Sequence, residues 1–347
     1  MKKRALFSVI MLVAFAAATL FAGGAAEAAA PADDDMPPVR LTWSSASVPG
    51  DAHTQAMFEF KRVVEEMSNG RMRVDVHHSS ELFTQEAEIA AVRRGNLDMM
   101  YGGPNWLAEM VPYMSMLAAP YIFESYEHMT QVMNGPIGQE INEDIAQQTG
   151  IRPLATFYLG TRQLNLRDIG REVRTPADMR GVKLRMPGTP TWLFMGETLG
   201  ANPTPLSFSE VYLALQTGTI DAQDNPLPTV RNASFYEVTK YIVLTDHFIN
   251  PIMPIINEQK WQSLTDAQKE IVMVAIESAR RLCDELNLQQ EAELLDFFAN
   301  EGMVIIEPDK EAFRTHALGM VMDNREMVAS WDMELFEEVQ ALAESLR

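Results

Sequence analysis

The 347-residue sequence predicts an α/β chain of two lobes tied together by one long helix. Three observations predict it. Strand and helix periods alternate in the order β-α-β-α-β between Val39 and Tyr101, the mark of a mostly parallel sheet with helices on its faces. The pattern restarts near Lys183, in a chain whose exported part is longer than one core usually organises. A helical period then runs from about Asp266 to Asn300, longer than most globular helices.

Taken in order, Val39–Ser47 begins as a strand, and Pro49-Gly50-Asp51 makes a turn. His53–Met67 carries Ala56, Phe60, Val63, Val64 and Met67 on a helical period and ends near Asn69-Gly70. Arg71–His77 alternates as a strand, Gln85–Arg94 is helix and Leu97–Tyr101 strand. Pro112–Phe123 reads as a connection, Met129–Thr149 as one amphipathic helix closed by Gly150, and Arg152–Tyr158 as a strand leading into the second lobe. There the expectations are strand Lys183–Met186, helix Pro190–Gly200, a turn at Pro203–Pro205, helix Ser209–Thr217 and a short strand Ile220–Ala222. Phe235–Lys240 is a helix or turn leading into strand Tyr241–Leu244, and Asn250–Asn257 a separate strand returning to the first lobe. Thr265 caps the long helix, with Gln268 three residues on. Met303–Ile306 is a last strand and Lys310–Leu346 a helical tail.

The first thirty residues stand apart from the fold. Lys2, Lys3 and Arg4 precede an apolar run to Phe21 and a small-residue tail, which predicts a signal peptide cleaved near Ala28 or Ala30. No later window approaches the ~18 uninterrupted apolar residues of a membrane helix. Formal charge is −20, and loss of three cations and Glu27 with residues 1–30 makes it −22. Such acidity argues against nucleic acid and anionic lipid but not against an anionic guest, because a pocket answers to local arginines. Cys283 is the sole cysteine, so an intrachain disulfide is impossible. Thiol chemistry and a cysteine-based zinc site are not expected.

Catalytic and cofactor patterns are absent: the sequence holds no G-x-G-x-x-G after a strand, no phosphate loop, no H-E-x-x-H and no G-x-S-x-G. His77 and His78 are neighbours on a strand and point to opposite faces, which suits a surface pair better than a metal. Ser209-Glu210 fits a helix start, and the methionines fall mostly at apolar positions. No enzyme activity, cofactor or metal is expected. The stretch Met179–Pro226 is more informative. It places Arg185 at the end of a short strand and just before Pro187-Gly188, a rigid turn whose backbone can come close to a ligand. Arg162 follows its own strand, where ligands of open α/β sheets collect. A guanidinium fork grips a carboxylate through two parallel charge-assisted bonds.

Four segments carry a resemblance. They are Arg93–Met99 (RRGNLDM), Ala177–Arg185 (ADMRGVKLR), Ser209–Gly218 (SEVYLALQTG) and Asp221–Pro226 (DAQDNP). From about Arg40 onward the chain resembles the periplasmic solute-binding subunit of a tripartite ATP-independent periplasmic (TRAP) transporter, the DctP family. The resemblance implies a periplasmic-binding-protein (Venus flytrap) fold. Lobe I would comprise residues 38–159 and 251–289, and lobe II residues 160–250 and 290–347, with hinges near Leu159-Gly160 and Asn250-Pro251.

It also implies that Arg185 pairs with the ligand carboxylate, that Asn225 bonds to the same end, that Phe208 packs on it and that Arg162 adds a second contact. In the first lobe, sugar-acid binders of the family carry acidic or polar side chains where this chain has Gln85 and Gly103, which argues against sialic acid. Asn105, Trp106 and the Ser45–Ser47 segment, Ser47 included, stand as replacements. The implied function is capture of a small organic acid by a monomeric periplasmic receptor that docks on integral membrane permease subunits. A ligand sensor for a signalling receptor is the alternative, and an exported hydrolase or lyase using Asp224 a more remote one.

Overall fold

The computed structural model describes residues 36–347; the signal peptide expected in residues 1–30 lies outside them. Ten strands form one mixed sheet, and their sequence explains its direction. The strands are β1 (Val39–Ser44), β2 (Met72–His77), β3 (Met99–Gly102), β4 (Ile151–Pro153), β5 (Phe157–Leu166), β6 (Lys183–Met186), β7 (Asn202–Pro205), β8 (Ala222–Pro226), β9 (Tyr241–Asn257) and β10 (Val304–Ile306). Their order along the sheet is β2-β1-β3-β9-β5-β8-β6-β7, with β4 and β10 also paired to β9. Helices return the chain between β1, β2 and β3 and between β6, β7 and β8, so those pairs with β1 or β6 are parallel. The strands that cross between halves run antiparallel: β9 with β3, β4 and β5, and β5 with β8.

The two halves therefore share backbone. β9 is one 17-residue strand, where the sequence suggested two. It stays continuous through Asp246, whose φ of 46° takes up the irregularity, and through Asn250-Pro251. β5 likewise runs on past Tyr158 to Leu166, so Arg162 sits within a strand and not beyond its end. Register shifts fall between Tyr158 and Gly160 and between Arg162 and Leu164, which bends the pair without breaking it.

Other departures have local causes. The helix expected over Met129–Thr149 is two, Tyr126–Asn134 and Pro136–Thr149, because Pro136 has no N–H to continue the first and suits the first turn of the second. Pro203 and Pro205 belong to β7, an edge strand, where a missing donor faces no partner. The strand expected at Ile220–Ala222 begins at Ala222 and reaches Pro226. The helical tail divides into Lys310–Asp323, Arg325–Ala329 and Met333–Ser345.

The long helix is Asp266–Asn300, opened by a capping box between Thr265 and Gln268. Its first half packs on the helix Ala52–Met67, with Ser278 donating to Glu59 at 2.6 Å. Its last turns place Leu294 and Phe298 in the core of the second half, with Val211, Leu215, Val230 and Phe235. Between them it grips β5 at the bend. Asp284 accepts the Tyr158 N–H at 2.7 Å, Asn287 donates to the Tyr158 carbonyl at 2.6 Å, and Glu291 accepts the Thr161 N–H at 2.5 Å. Cys283 is buried beside the same carbonyl.

Gly160 at this bend has φ +123°, and a Cβ there would lie 2.5 Å from the Pro226 Cβ and 2.9 Å from Glu291 Oε1. Gly160→Ala is expected to lower unfolding free energy by roughly 1–3 kcal/mol through backbone strain alone, before any clash. Urea denaturation monitored by circular dichroism measures it; an unchanged midpoint would mean that β5 bends without strain here.

Candidate functional site

One cavity lies where the crossing strands meet the loops of both halves. Its wall includes Ser47, Gln85, Asn105, Trp106, Arg162, Arg185, Phe208 and Asn225, all eight of the residues singled out from sequence. Its volume is about 70 Å³. That suits a small solute. The halves touch around it: Thr189 Oγ1 donates to the Asn105 carbonyl, Ser207 Oγ to Glu86, and Asn232 Nδ2 to Asp51 and the Gly50 carbonyl.

Arg185 is held by β6, between β7 and β8, with Gln223 and Thr204 as its neighbours across the ladder. It is 2 % exposed. Its Nε–H donates to the Leu206 carbonyl at 2.7 Å, yet Nη2 is buried with no partner and no carboxylate lies within ion-pair distance among the described residues. Burial lowers its pKa to about 10, with Asp224 opposing that and the charge of Arg162 adding to it. At neutral pH it remains a cation. The Phe208 ring centroid lies 5.9 Å from its guanidinium, and the Phe208 ring rests in turn on Phe235.

Arg162 is equally buried but differently placed. It and Asp224 are diagonal neighbours on the antiparallel β5–β8 pair, since Arg162 stands opposite Pro226 and Leu164 opposite Asp224. Nε donates to Asp224 Oδ2 at 2.7 Å and Nη2 to Oδ1 at 3.0 Å, while Nη1 donates to Asn250 Oδ1 at 2.8 Å. The guanidinium also lies 4.6 Å from the centroid of the Trp192 ring. His247 Nε2 sits 3.1 Å from Asp224 Oδ2; a carboxylate only accepts, so this nitrogen carries the proton. Burial alone would raise Asp224. The charge of Arg162, with hydrogen bonds from His247 and Arg162, outweighs it and holds the carboxyl well below the usual range. Arg162 is thus neutralised from within, and a bound acid would find only what its Nη1 has left to give.

The remaining wall mixes apolar and polar side chains. Asn225 Nδ2 donates to Gln223 Oε1 at 2.6 Å, and Gln223 Nε2 to Asn165 Oδ1 at 3.1 Å, which fixes the asparagine from behind. Asn105 is buried with its Nδ2 unpartnered. The Ser47 hydroxyl accepts from Thr54 and bonds to Ser45. Gln85 opens the helix Gln85–Arg93, and Trp106 is half-buried on the short helix Pro104–Leu107.

Sequence reasoning passed over Asp51, His53, Glu88, Trp192, Thr229 and Asn250, which also line the cavity. A signal existed for Glu88, which follows Gln85 by three residues on one helix and so shares its face. Burial raises Glu88 to about 8 and Asp51 to about 7, and lowers His53 to about 3. Asp224, weighed from sequence as a catalytic acid, is engaged as the counter-ion of Arg162. His77 and His78 lie outside the cavity, each within 4.0 Å of a Glu81 oxygen.

A family model described as bacterial extracellular solute-binding protein, family 7, matches residues 44–324. The chain belongs to that family. Its structural likenesses are TRAP periplasmic solute-binding proteins. One is a TRAP periplasmic solute-binding protein from Roseobacter denitrificans with bound 3-deoxy-D-manno-oct-2-ulosonic acid. That protein is 38% identical, with TM-score 0.83 over 88% of this chain and 99% of its own. A second from the same organism, with bound L-galactonate, is 32% identical, with TM-score 0.80 over the same shares, 88% and 99%. The sialic acid-binding periplasmic protein SiaP of Vibrio cholerae is 36% identical over 72% of this chain and 77% of its own length. Family 7 folds are two-lobed α/β binding proteins, and the helix Asp266–Asn300 is the long helix of this one.

Proposed function

We propose that this chain is the periplasmic receptor of a TRAP transporter and captures a small hydroxylated carboxylate, a sugar acid, between its lobes. The single observation that carries the reading is Arg185: a fully buried cation, aimed into an interlobe cavity, with no acid of its own. Leaving such a group unpaired is costly, and a ligand carboxylate removes that cost. The relatives with bound 3-deoxy-D-manno-oct-2-ulosonic acid and L-galactonate support the class of guest. Asn225 and Phe208 would hold the same end, and Ser47, Gln85, Asn105 and Trp106 the hydroxylated remainder.

Because residues of both halves line the cavity, a guest that touches both favours the closed arrangement and shifts the equilibrium by its differential affinity. A swing from mostly open to mostly closed needs about 5.5 kcal/mol. The bends of β5 at Leu159-Gly160 and of β9 at Asn250-Pro251 would serve as hinges, dividing lobe I (38–159, 251–289) from lobe II (160–250, 290–347). The exported, closed receptor would then deliver its guest to integral membrane permease subunits, with no catalysis of its own.

The test is thermal unfolding with L-galactonate, 3-deoxy-D-manno-oct-2-ulosonate, D-glucuronate and neutral D-galactose. An acid at ~100 times its dissociation constant is expected to stabilise by about 2.7 kcal/mol. Equal shifts with galactose, or none with any acid, would sink the reading.

A further inference from the structure

We propose that Glu88 reads the end of the ligand remote from Arg185: it presents a neutral carboxyl that donates to a ligand hydroxyl and turns away a second carboxylate. The inference rests on the sugar-acid reading above and adds the charge of the guest's other end.

The geometry carries it. Glu88 belongs to the helix Gln85–Arg93 and bonds to Ser44 of β1, whereas Arg185 belongs to β6 in the other half of the sheet, and both line the cavity. Glu88 is 1 % exposed. Its Oε1 accepts from the Ser44 hydroxyl at 2.7 Å, and its Oε2 has no hydrogen-bond partner among the described residues. No lysine, arginine or histidine forms an ion pair with it among the described residues, and Arg162, the other cavity arginine, is already paired with Asp224. The charge that does reach it is that of Glu86 on the same helix, which is of the wrong sign to keep it ionised. Asp51 stands in the same wall, its oxygens bonded to the Val48 N–H and to Asn232.

A buried carboxyl with no cation beside it keeps its proton, and burial does push Glu88 up to about 8. The protonated Oε2 is then a donor with no acceptor among the described residues, in the wall of the cavity. A ligand hydroxyl satisfies it. A ligand carboxylate would lie there in a dry site with no cation beside it, and burying an unpaired charge costs several kcal/mol. The two ends of the cavity therefore differ: a bare guanidinium at one, and at the other the carboxyl of Glu88 with no cation beside it.

Matched pairs of open-chain sugar acids that differ only by oxidation of the terminal CH2OH to a second carboxylate test this: L-galactonate against galactarate, and D-gluconate against D-glucarate. They are titrated into the protein by calorimetry at pH 7. At least one monocarboxylate is expected to bind at least a hundredfold tighter than its dicarboxylate partner. Glu88→Gln, whose amide still donates, should keep monocarboxylate affinity within about threefold, and Glu88→Ala should lose about tenfold. Glu88→Arg should narrow or invert the ratio within a pair; where that variant does not fold, the wild-type ratio and the Gln and Ala variants decide.

Dicarboxylates binding as tightly as their partners would overturn the proposal while leaving the sugar-acid reading intact. So would tighter capture of 6-aminohexanoate than of either monocarboxylate, since an ammonium would then be the partner of an ionised Glu88. Silence from all four acids would overturn the underlying reading, and this one with it.

Discussion

Replacing Arg185 by methionine is expected to abolish useful binding and, at the same time, to make the empty protein more stable. The two effects have one cause. In the empty cavity this guanidinium is 2 % exposed, makes one hydrogen bond, to Leu206, and leaves Nη2 without an acceptor. Burial has already pulled its pKa to about 10, which measures how poorly the charge is accommodated. Methionine fills similar space without the charge, and replacing buried ionic groups by apolar ones of like volume is often stabilising by about 1–4 kcal/mol. The bound state loses the charge-assisted pair. Truncating one partner of such a pair costs ~2–5 kcal/mol, so affinity should fall by two orders of magnitude or more, and equally for Arg185→Ala. Calorimetry with the acid that gives the largest thermal shift, and thermal unfolding without it, give both numbers. Near-normal affinity in either variant would refute the assignment of Arg185; a lower melting temperature for Arg185→Met would show that the charge has a partner in the empty state.

Asp224→Asn is the second large effect, and it strikes the fold more than the ligand. Asp224 receives two bonds from Arg162 and one from His247, all fully inside the protein. Removing its charge strands Arg162 in a dry site, and breaking a buried pair in this way costs about 3–5 kcal/mol. The double variant Arg162→Met with Asp224→Leu should recover much of that loss, because it removes the stranded cation as well.

The sign of the pH dependence follows from the depressed carboxyl. Its contribution is fully present above the unfolded carboxyl's ordinary value of 3.8, and is lost as pH falls through the lower folded value. The gap between wild type and Asp224→Asn should therefore be widest near neutrality and narrow below that value. Denaturant unfolding at pH 7 and pH 3 measures both. A gap that widens in acid would mean that Asp224 is not ionised in the folded protein.

Much of the site was legible because its chemistry is local. Arg185, Pro187 and Phe208 stand near one another in sequence, and a short strand followed by a proline-glycine turn announces an arginine placed for a guest. The long helix was legible to its last residue, since its capping box and its 35 residues of helical period need no partner to be read. The lobe I wall was harder. Ser47, Gln85 and Asn105 were found, but Glu88 reads as an ordinary helix-surface acid until the fold buries it.

What the sequence by itself determined is the alternation of strands and helices, the paired halves and the choice of Arg185 as the candidate cation. Periodicity, caps and turn residues are short-range properties, and each is written in a handful of neighbours. Only the tertiary structure decided that Arg162 is spent on Asp224 while Arg185 has no carboxylate partner among the described residues, that β5 and β9 run unbroken between the halves, and that Glu88 and Asp51 are buried in the cavity wall, which raises both. The physical reason is desolvation and diagonal pairing. Whether a charge is met, bare or suppressed depends on groups brought beside it from strands 62 residues away in the case of Arg162 and Asp224, and no local pattern records that distance.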